Sequence, residues 1–118
     1  MRVAAAALSL ASALALAGCW DPHPCNENLP PPSDPCIPIC GNSLNVGQPC
    51  TRGGGECGSP DARRAWACTV DFADTTLAFC TKPCVDASDC GEDAVCQGDP
   101  ADPSSDQGCV PVACSTMP

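Results

Sequence analysis

Trp66-Ala67-Cys68-Thr69-Val70-Asp71-Phe72-Ala73-Asp74-Thr75-Thr76-Leu77-Ala78-Phe79-Cys80 is the one stretch of this chain with a readable period. Trp66, Cys68, Val70 and Phe72 alternate with Ala67, Thr69 and Asp71, the two-residue repeat of a strand with one face covered. Ala73-Asp74-Thr75 then offers a turn, and Leu77 and Phe79 line one face of a strand returning to Cys80. The stretch predicts a short β-hairpin that forms a small apolar centre. Two strands alone are marginal in water, so something outside the hairpin must hold it.

The composition says what that is. The 118 residues include 13 Cys, 14 Pro and 10 Gly but only 2 Trp, 2 Phe and no Tyr, which allows one small domain at most. Beyond Gly18 the large apolar side chains are few and scattered, among them Ile37, Leu44, Val46, Val85, Val95 and Val110. A chain so poor in core-forming residues is expected to rely on covalent cross-links. Its cysteine content also exceeds the roughly 8 to 10% that marks a disulfide scaffold, which places it in an oxidising compartment. Structural zinc would favour cysteines two residues apart together with histidines. Here the tight pairs, Cys36/Cys40 and Cys80/Cys84, have three residues between them and the single histidine is His23, so no metal ligand set and no cofactor are assigned.

The N-terminus has its own pattern. Arg2, a run rich in Ala and Leu, and small residues ahead of Cys19 have the form of a signal peptide over residues 1–18, too short to span a membrane as a helix. Leu16-Ala17-Gly18-Cys19 resembles the bacterial lipobox. That resemblance implies a diacylglyceryl group on the Cys19 sulfur, cleavage between Gly18 and Cys19, acyl (palmitate-type) chains in the membrane, and Cys19 as the mature N-terminus. Ala15-Leu16-Ala17 also fits the general signal peptidase, but cysteine parity favours the lipobox. Lipidation of Cys19 leaves twelve cysteines, 13 minus 1, which can pair completely. These are Cys25, Cys36, Cys40, Cys50, Cys57, Cys68, Cys80, Cys84, Cys90, Cys96, Cys109 and Cys114. Two or more acyl chains anchor stably where one is marginal. Trp20, and not Asp, follows Cys19, which by resemblance to the enteric sorting rule points to the outer membrane.

Three regions follow: the signal peptide, a proline-rich tether over residues 19–38, and a disulfide-rich domain over residues 39–118. Pro22, Pro24, Pro30, Pro31, Pro32, Pro35 and Pro38 fix φ and forbid both helix and central strand. Such a spacer extends about 3.1 Å per residue, although a bridge from Cys25 or Cys36 to the domain shortens the reach. The expected fold class is small, disulfide-rich and mostly irregular, with a short β-hairpin and six disulfides. Twelve cysteines allow about ten thousand pairings, and the sequence does not choose among them.

The most ordered cysteine run is Cys80-Thr81-Lys82-Pro83-Cys84-Val85-Asp86-Ala87-Ser88-Asp89-Cys90-Gly91-Glu92-Asp93-Ala94-Val95-Cys96. It resembles the repeat of uncharacterised cysteine-rich lipoproteins of gliding, predatory Gram-negative bacteria, which implies an extracytoplasmic, cell-envelope location and no particular activity. Residues 84–96 also resemble the inner part of whey-acidic-protein modules, which implies protease inhibition, although the adjacent Cys-Cys pair of those modules is absent. Arg63 and Arg64 are the basic residues that suit a trypsin-like pocket.

Charge narrows the partners. The precursor has 5 Lys+Arg against 14 Asp+Glu; loss of Arg2 with the signal peptide leaves 4 minus 14, or −10. Nucleic acid and anionic lipid surfaces repel such a chain. Asp86, Ser88, Asp89, Glu92 and Asp93 fail the calcium-loop register, since the fifth position is Cys90 and the twelfth is Gln97. Asp99, Asp102 and Asp106 read as solvated turns. No catalytic residue is assigned and no enzyme is expected: His23 lies between two prolines of the tether, and the cysteines are committed to bridges. The expectation is a membrane-anchored structural or binding module with a protein or ligand partner at the cell surface, or alternatively a protease inhibitor.

Overall fold

The strand that begins at Ala67 leaves extended conformation after two residues. The computed structural model describes residues 27–60, 63–98, 102 and 104–115. The expected signal peptide over residues 1–18, and Cys19, Trp20, His23, Cys25 and Asp99, lie outside the described residues. Strand β1 (Ala67–Cys68) pairs antiparallel with β2 (Cys80–Thr81), Ala67 opposite Thr81 and Cys68 opposite Cys80. Between them the chain makes one helical turn, α1 (Thr69–Phe72), closed by the Ala73 N–H on the Thr69 carbonyl at 2.9 Å.

Thr69 is the reason the predicted strand stops. It is 8% exposed, and its N–H donates to the Phe79 carbonyl at 3.0 Å. Its hydroxyl donates to the Leu77 carbonyl and accepts the Phe79 N–H at 3.1 Å. One residue thus satisfies three backbone groups of the returning chain, which removes the demand for a longer ladder. The hairpin expected across residues 66–80 is therefore present but short. Its outgoing strand is not continuous to Phe72, and Phe72 is turned outward, 66% exposed.

A second hairpin, unforeseen in the sequence, joins β3 (Ala94–Gln97) to β4 (Gly108–Pro111), with Val95 opposite Val110 and Cys96 opposite Cys109. The two hairpins lie side by side. The Cys109 N–H donates to the Lys82 carbonyl at 3.0 Å, the Cys84 N–H to the Gln107 carbonyl at 3.1 Å, and the Thr81 hydroxyl to the Cys109 carbonyl at 2.6 Å. Residues 47–50 run along the other side of β2, where the Gly47 N–H meets the Cys80 carbonyl and the Cys80 N–H meets the Gln48 carbonyl.

Both hairpins carry the same covalent pattern. Each places two cysteines directly opposite each other, Cys68 and Cys80 in one, Cys96 and Cys109 in the other. Neither opposed pair is bonded to itself. Cys68 joins Cys50 and Cys80 joins Cys57; Cys96 joins Cys84 and Cys109 joins Cys90. In each set of four the first cysteine bonds the third and the second bonds the fourth, so a preceding loop is stitched across its hairpin. The sulfurs supply much of the interior: Cys80, Cys90 and Cys109 are fully buried, and Cys50, Cys57 and Cys68 nearly so, around Val46, Ala65 and Ala94.

The last part of the proline-rich stretch belongs to the folded unit. Cys36 bonds Cys114, Ile37 is 3% exposed, and the Ser33 hydroxyl donates to the Thr76 carbonyl while accepting the Ala78 N–H. The reach of a spacer there is shortened accordingly. This bridge spans 78 residues where Cys84–Cys96 spans 12. In the chain-entropy model such closures contribute about 4.5 and 3 kcal/mol. Cys40 is disulfide-bonded as well, so eleven of the twelve expected bridge cysteines are in bridges.

Asn42 and Asn45 fasten the two halves together. Asn42 Oδ1 accepts the Leu44 and Val46 N–H groups, each at 3.0 Å, while its Nδ2 donates to the carbonyls of Cys90 at 2.7 Å and Glu92 at 2.8 Å. Asn45, at φ 67°, sends Nδ2 to the carbonyls of Cys57 and Ala65. The facing Gly91, at φ 77°, leaves no room for a side chain: a Cβ there would lie 2.9 Å from Asn42 Nδ2. Replacing Asn42 by Ala removes four hydrogen bonds and is expected to cost about 2 to 4 kcal/mol. Guanidinium unfolding without reductant should show this loss for Asn42→Ala and little change for Ser43→Ala, whose hydroxyl bonds Glu92 at the surface.

Candidate binding groove

Aromatic side chains are scarce here, so their positions are informative. Of the four in the chain, 2 Trp and 2 Phe, Trp66, Phe72 and Phe79 line a single groove of about 580 Å³ where the hairpins meet. Thr81, Pro83 and Val110 contribute to its wall. The pairing of the hairpins makes this site: β2 and β4 are held edge to edge by the bonds around Lys82 and Cys109, and Trp66, immediately before β1, stands beside them. The Trp66 N–H donates to the Thr81 carbonyl at 3.1 Å, which fixes its backbone. Phe79 is 4% exposed and forms part of the base, while Trp66 and Phe72 are 37% and 66% exposed. Two exposed aromatics and one buried one thus share a single concavity that is open to solvent.

The polar members differ in availability. Lys82 is only 9% exposed and its ammonium donates to the Arg63 carbonyl at 3.3 Å. Asp106, also lining the groove, is exposed. The site thus offers an apolar surface with a carboxylate at its margin.

The other candidate residues fall into structural roles or stand apart. The sulfurs of Cys50, Cys57 and Cys68 lie within 4.8 Å of one another, as do those of Cys84, Cys90 and Cys109. All six are already bonded in disulfides and offer no thiolate to a metal. The acidic run is spent on turns. Asp86 accepts the Ser88 N–H and hydroxyl, Asp89 accepts the N–H groups of Val85 at 2.8 Å and Asp86 at 3.2 Å, and Glu92 accepts from Ser43. Asp102 caps Ser104 in the same way. Arg63 and Arg64 are exposed, away from the acidic turns in sequence and ahead of a buried Ala65. The groove itself was not read from the sequence: Trp66 and Phe72 carried only a packing signal, and Val110 lay in an unassigned tail.

Hydrogen bonds from the Val85 N–H, then from the Asp86 N–H, hold the Asp89 carboxyl below its ordinary range. A lowered folded value means that ionised Asp89 supports its turn at all pH above the ordinary aspartate range. That support is lost as pH falls through the folded value. Amide shifts of Val85 and Asp86 followed by NMR should titrate together below the usual aspartate midpoint, and Asp89→Asn should abolish the transition.

Among the described residues no helix is long and apolar enough to cross a membrane. Comparison of the chain with protein-family models, with curated proteins and with solved structures finds no match in any of the three.

Proposed function

We propose that this protein is a lipid-anchored lipoprotein of the bacterial cell envelope, held in the outer membrane through Cys19, and that it acts as a binding module whose recognition face is the Trp66/Phe72/Phe79 groove. The carrying observation is the concentration of three of four aromatics in one partly open groove of a chain that has almost none to spare for packing. The anchor rests on Leu16-Ala17-Gly18-Cys19 and on the parity it leaves, and the bridged cysteines are consistent with an oxidising compartment. Intact mass of the protein from its host's membrane fraction, before and after reduction and alkylation, tests the address. The expected result is a chain beginning at Cys19 with added acyl mass and twelve alkyl groups gained only after reduction. A lipid-free start at Gly18, or alkylation before reduction, overturns it.

One observation favours a second reading, inhibition of a trypsin-like protease. Arg63 and Arg64 are exposed and the backbone around them is tied down: the Arg63 carbonyl to Lys82, the Ala65 carbonyl to Asn45, and the Ala65 N–H to the Leu44 carbonyl at 2.7 Å. Such rigidity suits an inhibitor loop, but Ala65 is 1% exposed and closes the side a protease must also grip. Titrating trypsin with the protein is expected to leave its activity unchanged; stoichiometric loss of activity, abolished by Arg64→Ala, would establish the inhibitor instead.

A further inference from the structure

The order in which the cysteines pair points to a partner that acts before the groove exists. None of the five bridges placed among the described residues joins cysteines that follow one another in the chain. Cys50 passes over Cys57, Cys57 over Cys68, Cys84 over Cys90, and Cys90 over Cys96, while Cys36 reaches to Cys114. Loop closure in the unfolded chain favours a different order. Cys57 lies 7 residues beyond Cys50 where Cys68 lies 18 beyond it, and Cys90 lies 6 beyond Cys84 where Cys96 lies 12 beyond it. With a closure cost that rises as (3/2)RT ln n, the shorter loops are favoured about fourfold and about threefold. An oxidant of the disulfide class, which takes up two electrons for each bridge made, thus favours Cys50–Cys57 and Cys84–Cys90. Cys68 is then left with Cys80 and Cys96 with Cys109, the residues that stand opposite each other in the hairpins.

The folded protein shows how such pairs give way. The sulfurs of Cys50, Cys57 and Cys68 lie within 4.8 Å of one another, as do those of Cys84, Cys90 and Cys109. Each trio brings together an attacking sulfur, the sulfur attacked and the sulfur displaced, which are the participants of one exchange step. We propose that the chain reaches its crossed bridges through a protein partner, a reduced thiol–disulfide isomerase, whose thiolate starts this exchange. In the first set of four, the isomerase thiolate attacks Cys80 Sγ of a Cys68–Cys80 bridge and frees the Cys68 thiolate. That thiolate attacks Cys50 Sγ, forming Cys50–Cys68 and displacing Cys57. The Cys57 thiolate then attacks Cys80 Sγ in the mixed disulfide, which forms Cys57–Cys80 and returns the isomerase thiolate. In the second set the isomerase attacks Cys96 Sγ, the freed Cys109 thiolate attacks Cys90 Sγ, and the displaced Cys84 thiolate attacks Cys96 Sγ. Two bridges break and two form in each set, with no net transfer of electrons. Folding ends the exchange, because Cys50, Cys57, Cys68, Cys80, Cys90 and Cys109 are buried in the folded protein, out of reach of an outside thiolate.

The test uses the protein purified from its host, reduced in guanidinium, diluted into detergent buffer and oxidised with diamide, which makes bridges without supplying a thiol. One portion then receives a catalytic amount of reduced protein disulfide isomerase, and another the same enzyme with its active-site thiols alkylated. Bridges are mapped after acid quenching in each portion and in protein that was never reduced. Diamide alone is expected to leave mainly Cys50–Cys57, Cys68–Cys80, Cys84–Cys90 and Cys96–Cys109 peptides. The active isomerase should raise the crossed peptides about fivefold or more, to the pattern of the never-reduced protein, and the alkylated enzyme should not. Crossed bridges made in full by diamide alone, an equal rise with alkylated enzyme, or consecutive bridges that active isomerase leaves in place would each overturn the dependence on this partner. Consecutive bridges in the never-reduced protein would overturn the crossed pairing itself.

Discussion

The crossing of paired disulfides is the constraint on which everything else here depends. Had Cys68 bonded the Cys80 opposite it, and Cys96 the Cys109 opposite it, each bridge would have closed only a hairpin already closed by its own backbone. Instead each hairpin cysteine takes a partner from the preceding loop. Each pair of bridges then fixes three stretches of chain relative to one another, and the buried sulfurs fill space that aromatic side chains occupy in larger domains. The same arrangement appears twice, in residues 50–80 and 84–109, so the molecule is two similarly stitched units laid edge to edge.

Once the two units are stitched, polar groups determine how they meet. The asparagines of residues 42–45 reach one unit each: Asn42 takes the carbonyls on both sides of Gly91, and Asn45 takes those of Cys57 and Ala65. The direct seam runs through Lys82 and Cys109. With their backbones fixed, β2 and β4 present Thr81 and Val110 to a common concavity, and the premature end of β1 at Thr69 releases Phe72 to its rim. The groove is thus a product of the place where the first hairpin fails to continue.

Sequence reasoning reached the class of fold through cysteine, proline and aromatic counts, because those counts limit how a small chain can be stabilised. It located the first hairpin from the alternation of Trp66 to Phe72 but overextended it, since nothing in the residue types announces that the Thr69 hydroxyl will take both Leu77 and Phe79. The second hairpin was invisible because its strands are four residues each and are separated by residues rich in Pro, Asp and Ser. Connectivity was beyond reach for a combinatorial reason, and the groove with it, because Trp66 and Val110 meet only when the bridges are known. Among the acidic residues the turn at Asp102 was legible, whereas Asp86 and Asp89 read only as candidate calcium ligands, and their capping of the turn at residues 87–89 emerged from the structure.

The most direct measurement is disulfide mapping of the unreduced protein by mass spectrometry after digestion at acid pH, where exchange is slow. Crossed connectivity yields linked peptides joining Cys50 to Cys68, Cys57 to Cys80, Cys84 to Cys96 and Cys90 to Cys109. Peptides joining Cys68 to Cys80 and Cys96 to Cys109 would mean that each hairpin closes only on itself, leaving the loops unstitched and the groove without the frame that forms it.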